Sequence, residues 1–187
     1  MITKIGRMIR AEEFSSLDLN TLSWEEMQQG LDQIHRFSGA GISVAEHSLR
    51  LYWMAQISHL SPAFTLACLL HDVEELVGMV DIPRPEKEDP FWASIVDAQR
   101  NFGQRVFDHY KIKLNLNQLA LLKHWDTLAS WVETRALHPI MRAEVIRRWG
   151  SPPDGVDDFL PLYYEVDPKG ISNAEFRSLV QSVRSAV

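Results

Sequence analysis

Apolar residues recur every three or four positions along most of the chain, which is the spacing of one face of an α-helix. In the segment 44–60, for example, Ala45, Leu49 and Trp53 follow this rule. Single apolar and polar residues rarely alternate, although such alternation would be expected of half-buried strands. The pattern therefore predicts an all-α fold, a single domain over residues 1–187 with five to seven helices.

Capping residues and prolines mark several of the predicted helix boundaries. Ser23 with Glu26 three residues later forms a capping box, which predicts a helix within residues 22–34. Pro62 opens an apolar run and predicts a helix that continues to about residue 78. Periodicity predicts the other helices at about 91–110, 117–137, 139–149 and 172–183, with Asn117 and either Ser172 or Asn173 as caps.

Glycine and proline interrupt the helical pattern at three places. The glycines of 36–43, the prolines of 81–90 and the polar segment 151–158 each predict a loop. Residues 1–20 show no clear helical period, and we expect short irregular or strand-like structure there.

The whole-chain composition narrows the classes of function. Of the 187 residues, 45% are apolar and 24% are charged, which is typical of a globular domain with a buried core. The formal net charge of -6 provides no overall positive field for duplex nucleic acid. The single cysteine, Cys68, lies in an apolar run and predicts a buried thiol in a reducing compartment. No signal-peptide core and no membrane-spanning apolar run is evident, so we expect a cytoplasmic protein without a membrane partner.

A charged doublet directly follows the most apolar stretch of the chain, where His71 and Asp72 come after "ACLL". Burying an ionised carboxylate costs several kcal/mol unless a metal ion or an ion pair compensates it. His47, His71, Asp72 and Asp126 lie on three predicted helices, and together they suit one divalent metal ion. Such a nitrogen and oxygen ligand set does not distinguish Mn, Fe, Co, Ni, Zn and Mg. An ordinary ion pair remains the alternative.

A further carboxylate, Glu75, follows His71 by four residues, which places both side chains on one face of the predicted helix. A carboxylate there could orient or deprotonate a water molecule on the metal. The alternative is that Glu74 and Glu75 form a solvated acidic pair.

Four segments of the chain, in their order and spacing, resemble the HD-domain phosphohydrolases. The closest subset comprises small single-domain members, namely bacterial 5′-deoxynucleotidases and phage-encoded deoxynucleotide phosphohydrolases, including dATP triphosphohydrolases. The resemblance covers nearly the whole chain, through the tail "VDPKGISNAEFRSLV". The segments are "SVAEHSLRL", "LACLLHDVEELVG", "DIPRPEK" and "LLKHWDTLASWVETR".

The resemblance implies roles for individual carboxylates and histidines. The four metal ligands of the family correspond to His47, His71, Asp72 and Asp126. Glu75 corresponds to the acidic residue that positions the attacking water. Asp81 corresponds to a second catalytic carboxylate near the phosphate, although it lies one residue farther from the His-Asp pair than in the family pattern.

The resemblance also implies contacts to the substrate. Arg36, Lys87 and Lys123 correspond to phosphate-binding residues, and Phe37 corresponds to an aromatic residue of the nucleoside pocket. Lys123 precedes Asp126 by three residues, so the two share a helix face. An exposed, solvated lysine is the alternative interpretation of Lys123.

The function implied by the resemblance is metal-dependent hydrolysis of a 2′-deoxynucleotide. The favoured reaction releases deoxynucleoside and triphosphate from a dNTP, with dATP as the leading substrate. The first alternative is a 5′-deoxynucleotidase that removes phosphate from dNMPs. Hydrolysis of cyclic or signalling nucleotides and a catalytically silent nucleotide-binding module are further alternatives. Self-association into a homo-oligomer is left open.

Overall fold

The computed structural model describes residue 14 and residues 16–82 and 86–186. Within these ranges the regular structure is entirely helical and without β-strands, which confirms the prediction of an all-α fold. The nine α-helices of this part are α1 (Trp24–Leu31), α2 (Arg36–Gly39), α3 (Val44–Ile57), α4 (Pro62–Leu70), α5 (Ala93–Tyr110), α6 (Leu116–Thr134), α7 (Pro139–Trp149), α8 (Val156–Glu165) and α9 (Asn173–Ser185). Short 3-10 helices cover Leu19–Thr21, Val73–Leu76 and Glu86–Glu88. The expectation for residues 1–20 lies mostly outside the described residues.

The structure confirms most of the predicted helix caps. Ser23 closes its capping box at the start of α1, and Pro62 occupies the first turn of α4. Ser172, rather than its neighbour, caps α9. The cap of α6 is Asn115 and not Asn117, because the side chain of Asn115 accepts the hydrogen bond from the backbone N–H three residues later.

Helix α4 ends at Leu70, eight residues before the predicted end. The chain leaves the α-helix at His71 and Asp72 and continues as the 3-10 helix Val73–Leu76. Apolar residues continue past the turn, so their pattern cannot reveal where the helix stops. The premise that Glu75 and His71 share one α-helical face was therefore wrong.

The described residues form nine α-helices rather than the predicted five to seven, because α2 and α8 begin within the segments 36–43 and 151–158, which the sequence predicts to be loops. Helix α8 begins within the second of these segments and continues beyond it. Pro161 inside the helix and the paired Asp157 and Asp158 conceal its periodicity. The two aspartates nevertheless lie in the first turn, where the helix dipole favours negative charge.

The core lies where α3 and α4 pack against each other, with α6 and α8 packed together beside them. Cys68 is a fully buried free thiol in this core, as the sequence predicts. None of the described helices combines the length and the apolar character needed to cross a lipid bilayer. The packing brings the C-terminal end of α4 beside the first turn of α3 and the middle of α6, and this junction contains a polar cluster.

Candidate metal centre

Two histidines and two aspartates meet at the junction of three helices. His47 comes from the buried face of α3, His71 and Asp72 from the turn after α4, and Asp126 from α6. One ligand atom from each of the four residues lies within 4.8 Å of the other three. Residues distant in the sequence thus converge on one point.

The spacing of these atoms fits a bound divalent ion. Metal–ligand bonds of about 2.0–2.2 Å place neighbouring ligand atoms roughly 3 to 4.4 Å apart. His47 Nε2 lies 3.2 Å from His71 Nε2 and 3.4 Å from Asp126 Oδ1. Asp72 Oδ2 lies 3.2 Å from His71 Nε2 and 3.7 Å from His47 Nε2. All four separations are in the expected range, so the group could hold a metal ion.

The outer nitrogens of both imidazoles are already engaged. His47 Nδ1 lies 2.5 Å from Glu133 Oε1, and His71 Nδ1 lies 2.9 Å from the backbone oxygen of Cys68. An Nδ1–H that donates to an oxygen leaves the lone pair of a neutral imidazole on Nε2. Both Nε2 atoms face the same point, which is the arrangement that a cation requires.

Arg36 also compensates the buried charge. Its guanidinium lies 3.0 Å from Asp72 Oδ2, 2.9 Å from Glu133 Oε2 and 3.8 Å from Asp126 Oδ1. Burial favours the neutral form of Asp72, but His71, Arg36 and His47 outweigh it and hold the pKa of Asp72 well below its ordinary value. The structure therefore contains an ion pair beside the candidate metal ligands, and the two explanations of the buried doublet coexist.

A cavity of about 60 Å³ opens beside the cluster. Glu75 lines this site cavity, is 3% exposed, and has a carboxylate oxygen without a hydrogen-bond partner among the described residues. The solvated-pair alternative therefore does not hold for Glu75. Burial, together with the charges of Asp72 and Asp81, raises the pKa of Glu75 well above its ordinary value.

Asp81 also lines the site cavity and accepts a hydrogen bond from the backbone N–H of Phe37 at 3.2 Å. Phe37 and Ser38 have φ values of 54° and 56°, in the left-handed region that residues with side chains rarely adopt, so the four-residue α2 is a left-handed turn rather than a regular α-helix. This turn places both Arg36 and Phe37 on the cavity wall. Strained backbone of this kind is often found at binding sites.

The two predicted phosphate-binding lysines differ in location. Lys87 lines the site cavity and lies 3.7 Å from Glu74. Lys123 shares α6 with Asp126, as predicted, but it is exposed and is not part of the cavity wall. A phosphate contact by Lys123 stays a prediction.

Four residues of the centre were not identified from the sequence: Ser130, Glu133, Trp149 and Tyr163. Ser130 and Glu133 follow Asp126 by four and seven residues, and this helical spacing was an available signal. Trp149 packs against Phe37 with ring centroids 5.8 Å apart and lines the site cavity. No sequence signal identifies Trp149 and Tyr163, since they reach the centre from helices α7 and α8 that pack there only in the folded protein.

We expect the free energy of unfolding of the metal-free protein to decrease as the pH rises, because of His47. Burial and Arg36 oppose its charged form, but Glu133 and Asp126 outweigh them and raise the pKa of His47 from 6.5 to about 9. A histidine whose pKa is higher in the folded than in the unfolded protein stabilises the fold. This contribution is complete at pH values below the pKa of the unfolded protein, and it is lost as the pH rises through the pKa of the folded protein. The loss between pH 6.5 and 9 is on the order of 3 kcal/mol.

Urea unfolding of the protein in a chelating buffer, repeated across this pH range, measures the effect. The His47→Gln variant is the control, because it should show a much flatter dependence on pH. A wild-type unfolding free energy that stays constant over the range would contradict the assignment of a charged His47.

No protein-family model, curated protein or solved structure matches this chain.

Proposed function

We propose that this protein is a metal-dependent phosphohydrolase of 2′-deoxynucleotides. The observation that carries the proposal is the opening of a four-ligand cluster onto a cavity lined by the buried carboxylate of Glu75, one oxygen of which has no hydrogen-bond partner among the described residues. Metal-dependent hydrolysis of a phosphate ester needs a metal site, a base for the attacking water and cationic groups for the phosphoryl oxygens. Residues suitable for each of these needs line one cavity.

The proposed mechanism assigns a task to each group. A divalent ion held by His47, His71, Asp72 and Asp126 would supply Lewis acidity toward a phosphoryl oxygen and toward water. Glu75 is assigned to accept a proton from the water that attacks phosphorus, and one of its oxygens, which has no partner among the described residues, suits that hydrogen bond.

Cationic side chains balance the charge that spreads over the phosphoryl oxygens in the transition state. Arg36 and Lys87 both line the site cavity and are assigned this task. Asp81 is assigned to orienting the substrate, because it borders the site cavity and also a larger neighbouring cavity of about 360 Å³. That volume is in the range of small-molecule pockets and supports the binding of an organic group beside the metal centre.

The family resemblance favours a dNTP, with dATP first, as substrate, and release of deoxynucleoside and triphosphate. A second candidate reaction is removal of phosphate from a dNMP, and the charge of the cavity favours it. Among the described residues, Arg36 and Lys87 are the cationic side chains that line the site cavity. Two cations suit a monophosphate better than a triphosphate. Arg84, a further basic residue in the segment 81–90, lies outside the described residues.

The experiment that tests the proposal is product analysis by chromatography. The purified protein is incubated with each dNTP, each dNMP and the matching ribonucleotides, with Mn²⁺, Co²⁺ or Mg²⁺ added separately. Triphosphate released from one dNTP would establish a triphosphohydrolase, and phosphate released from dNMPs alone would establish a 5′-deoxynucleotidase. Absence of turnover with every metal would reject the hydrolase and favour a nucleotide-binding module.

We expect Lys87→Met to weaken substrate binding without loss of the metal. The ammonium group lies at the cavity wall, and a charged hydrogen bond to phosphate contributes about 1.5–3 kcal/mol, so KM should rise by about tenfold or more. Lys113→Met is the matched control, because Lys113 is exposed and is not part of the cavity wall. Steady-state kinetics with equal KM values for the two variants would contradict a phosphate contact by Lys87.

A further inference from the structure

One buried carboxylate lies directly behind the candidate ligands, and the proposed mechanism does not use it. Glu133 is 4% exposed and lies on α6, seven residues after Asp126. Residues seven apart in a helix lie on the same face two turns along, so α6 provides a ligand and also the group behind another ligand.

The two oxygens of Glu133 contact different partners. Oε1 accepts hydrogen bonds from His47 Nδ1 at 2.5 Å and from the hydroxyl group of Tyr163. Oε2 lies 2.9 Å from Arg36 Nε in an ion pair. The other end of the same guanidinium lies 3.0 Å from Asp72 Oδ2. Glu133 therefore touches one candidate ligand directly and reaches a second through Arg36.

We propose that Glu133 is the positioning residue of the metal centre. By accepting the Nδ1–H of His47, its carboxylate keeps the proton on Nδ1, so the nitrogen that would give up its proton to a cation is Nε2, which faces the other ligands. Through its ion pair at Arg36 Nε, it also holds in place the guanidinium whose other end contacts Asp72. Glu133 thus sets the orientation of two ligands without contacting the ion, and this inference rests on the proposed metal site.

The substitution Glu133→Gln tests the inference with almost no change of shape. Glutamine has one oxygen where glutamate has two and no charge, so it can keep an oxygen toward His47 or toward Arg36 but not toward both. The NH₂ group of the glutamine then faces the N–H group of the other partner, so two donors point at each other. We expect the Kd for Co²⁺ to rise by about 10- to 100-fold, the usual effect of losing such a partner.

Tyr163→Phe is the matched control, because it removes one donor to the same carboxylate oxygen and leaves His47 and Arg36 in contact with Glu133. We expect its Kd for Co²⁺ to stay within about threefold of the wild-type value, because the carboxylate of Glu133 keeps its contacts with both His47 and Arg36. The visible absorption of bound Co²⁺ gives a second readout, which should change in Glu133→Gln and not in Tyr163→Phe.

The outcomes separate a positioning role from a merely structural one. If Glu133 only stabilises the fold, Glu133→Gln lowers the melting temperature of the metal-free protein but leaves the Kd and the Co²⁺ spectrum of the folded protein unchanged, and the inference fails. If the wild-type protein binds no Co²⁺, both the inference and the proposed function fail. If the Kd rises as expected while no nucleotide is hydrolysed, the inference holds and the proposed function alone fails.

Discussion

Replacement of Asp72 by asparagine should abolish metal binding and turnover while the protein remains folded. The amide keeps the shape of the side chain but removes the negative charge that faces both imidazoles. A lost charge–charge contact in a buried site costs about 3–5 kcal/mol, so the Kd for Co²⁺ should rise on the order of 1000-fold. Activity on the nucleotide that the wild-type protein hydrolyses should fall below detection.

The folded state should tolerate this change, because Arg36 keeps its ion pair with Glu133 after Asp72 is neutralised. We expect metal-free Asp72→Asn to lose no more than about 2 kcal/mol of unfolding free energy. The control is Asp97→Asn, which alters an exposed aspartate on α5. Isothermal titration with Co²⁺ and urea unfolding in chelator measure both quantities. An Asp72→Asn protein that is unfolded would support the interpretation of Asp72 as a purely structural ion-pair partner.

Glu75→Gln should separate catalysis from metal binding. Loss of a general base costs about 10²- to 10⁴-fold in kcat, whereas the Kd for Co²⁺ should remain near the wild-type value because Glu75 is not a ligand in this assignment. The free energy of unfolding, in contrast to kcat, should not decrease in this variant. Burial and the neighbouring carboxylates raise the pKa of Glu75, so its ionised form is disfavoured in the folded state. In the metal-free protein at pH 8, the Glu75→Gln variant should therefore have a free energy of unfolding at least equal to that of the wild type.

The adjacent Glu74→Gln variant is a close control. Glu74 is partly exposed and lies 3.7 Å from Lys87, outside the residues that line the site cavity. Single-turnover kinetics, metal titration and thermal unfolding should therefore separate the two variants. Equal kcat values in Glu74→Gln and Glu75→Gln would show that Glu75 is not the base.

The local rules of the sequence predicted the helices and many of their ends. Periodicity indicated an all-α chain, and the Ser23 capping box and Pro62 marked helix starts that the structure confirms. These signals act within a few residues, so they can be detected without knowledge of the fold. The same rules missed α8, where Pro161 lies inside the helix, and they extended α4 beyond Leu70 because apolar residues continue through the turn.

Residue types and motif order determined which side chains belong to the candidate centre: His47, His71, Asp72 and Asp126 were identified from the sequence, and the structure brings them together. Only the tertiary structure decided how these groups are held. Glu133 meets His47 across 86 positions of the chain and Tyr163 across 30. The turn after Leu70 directs the adjacent side chains of His71 and Asp72 toward the same point. Such contacts depend on how helices pack, and the periodicity of one helix contains no information about the partner that covers it.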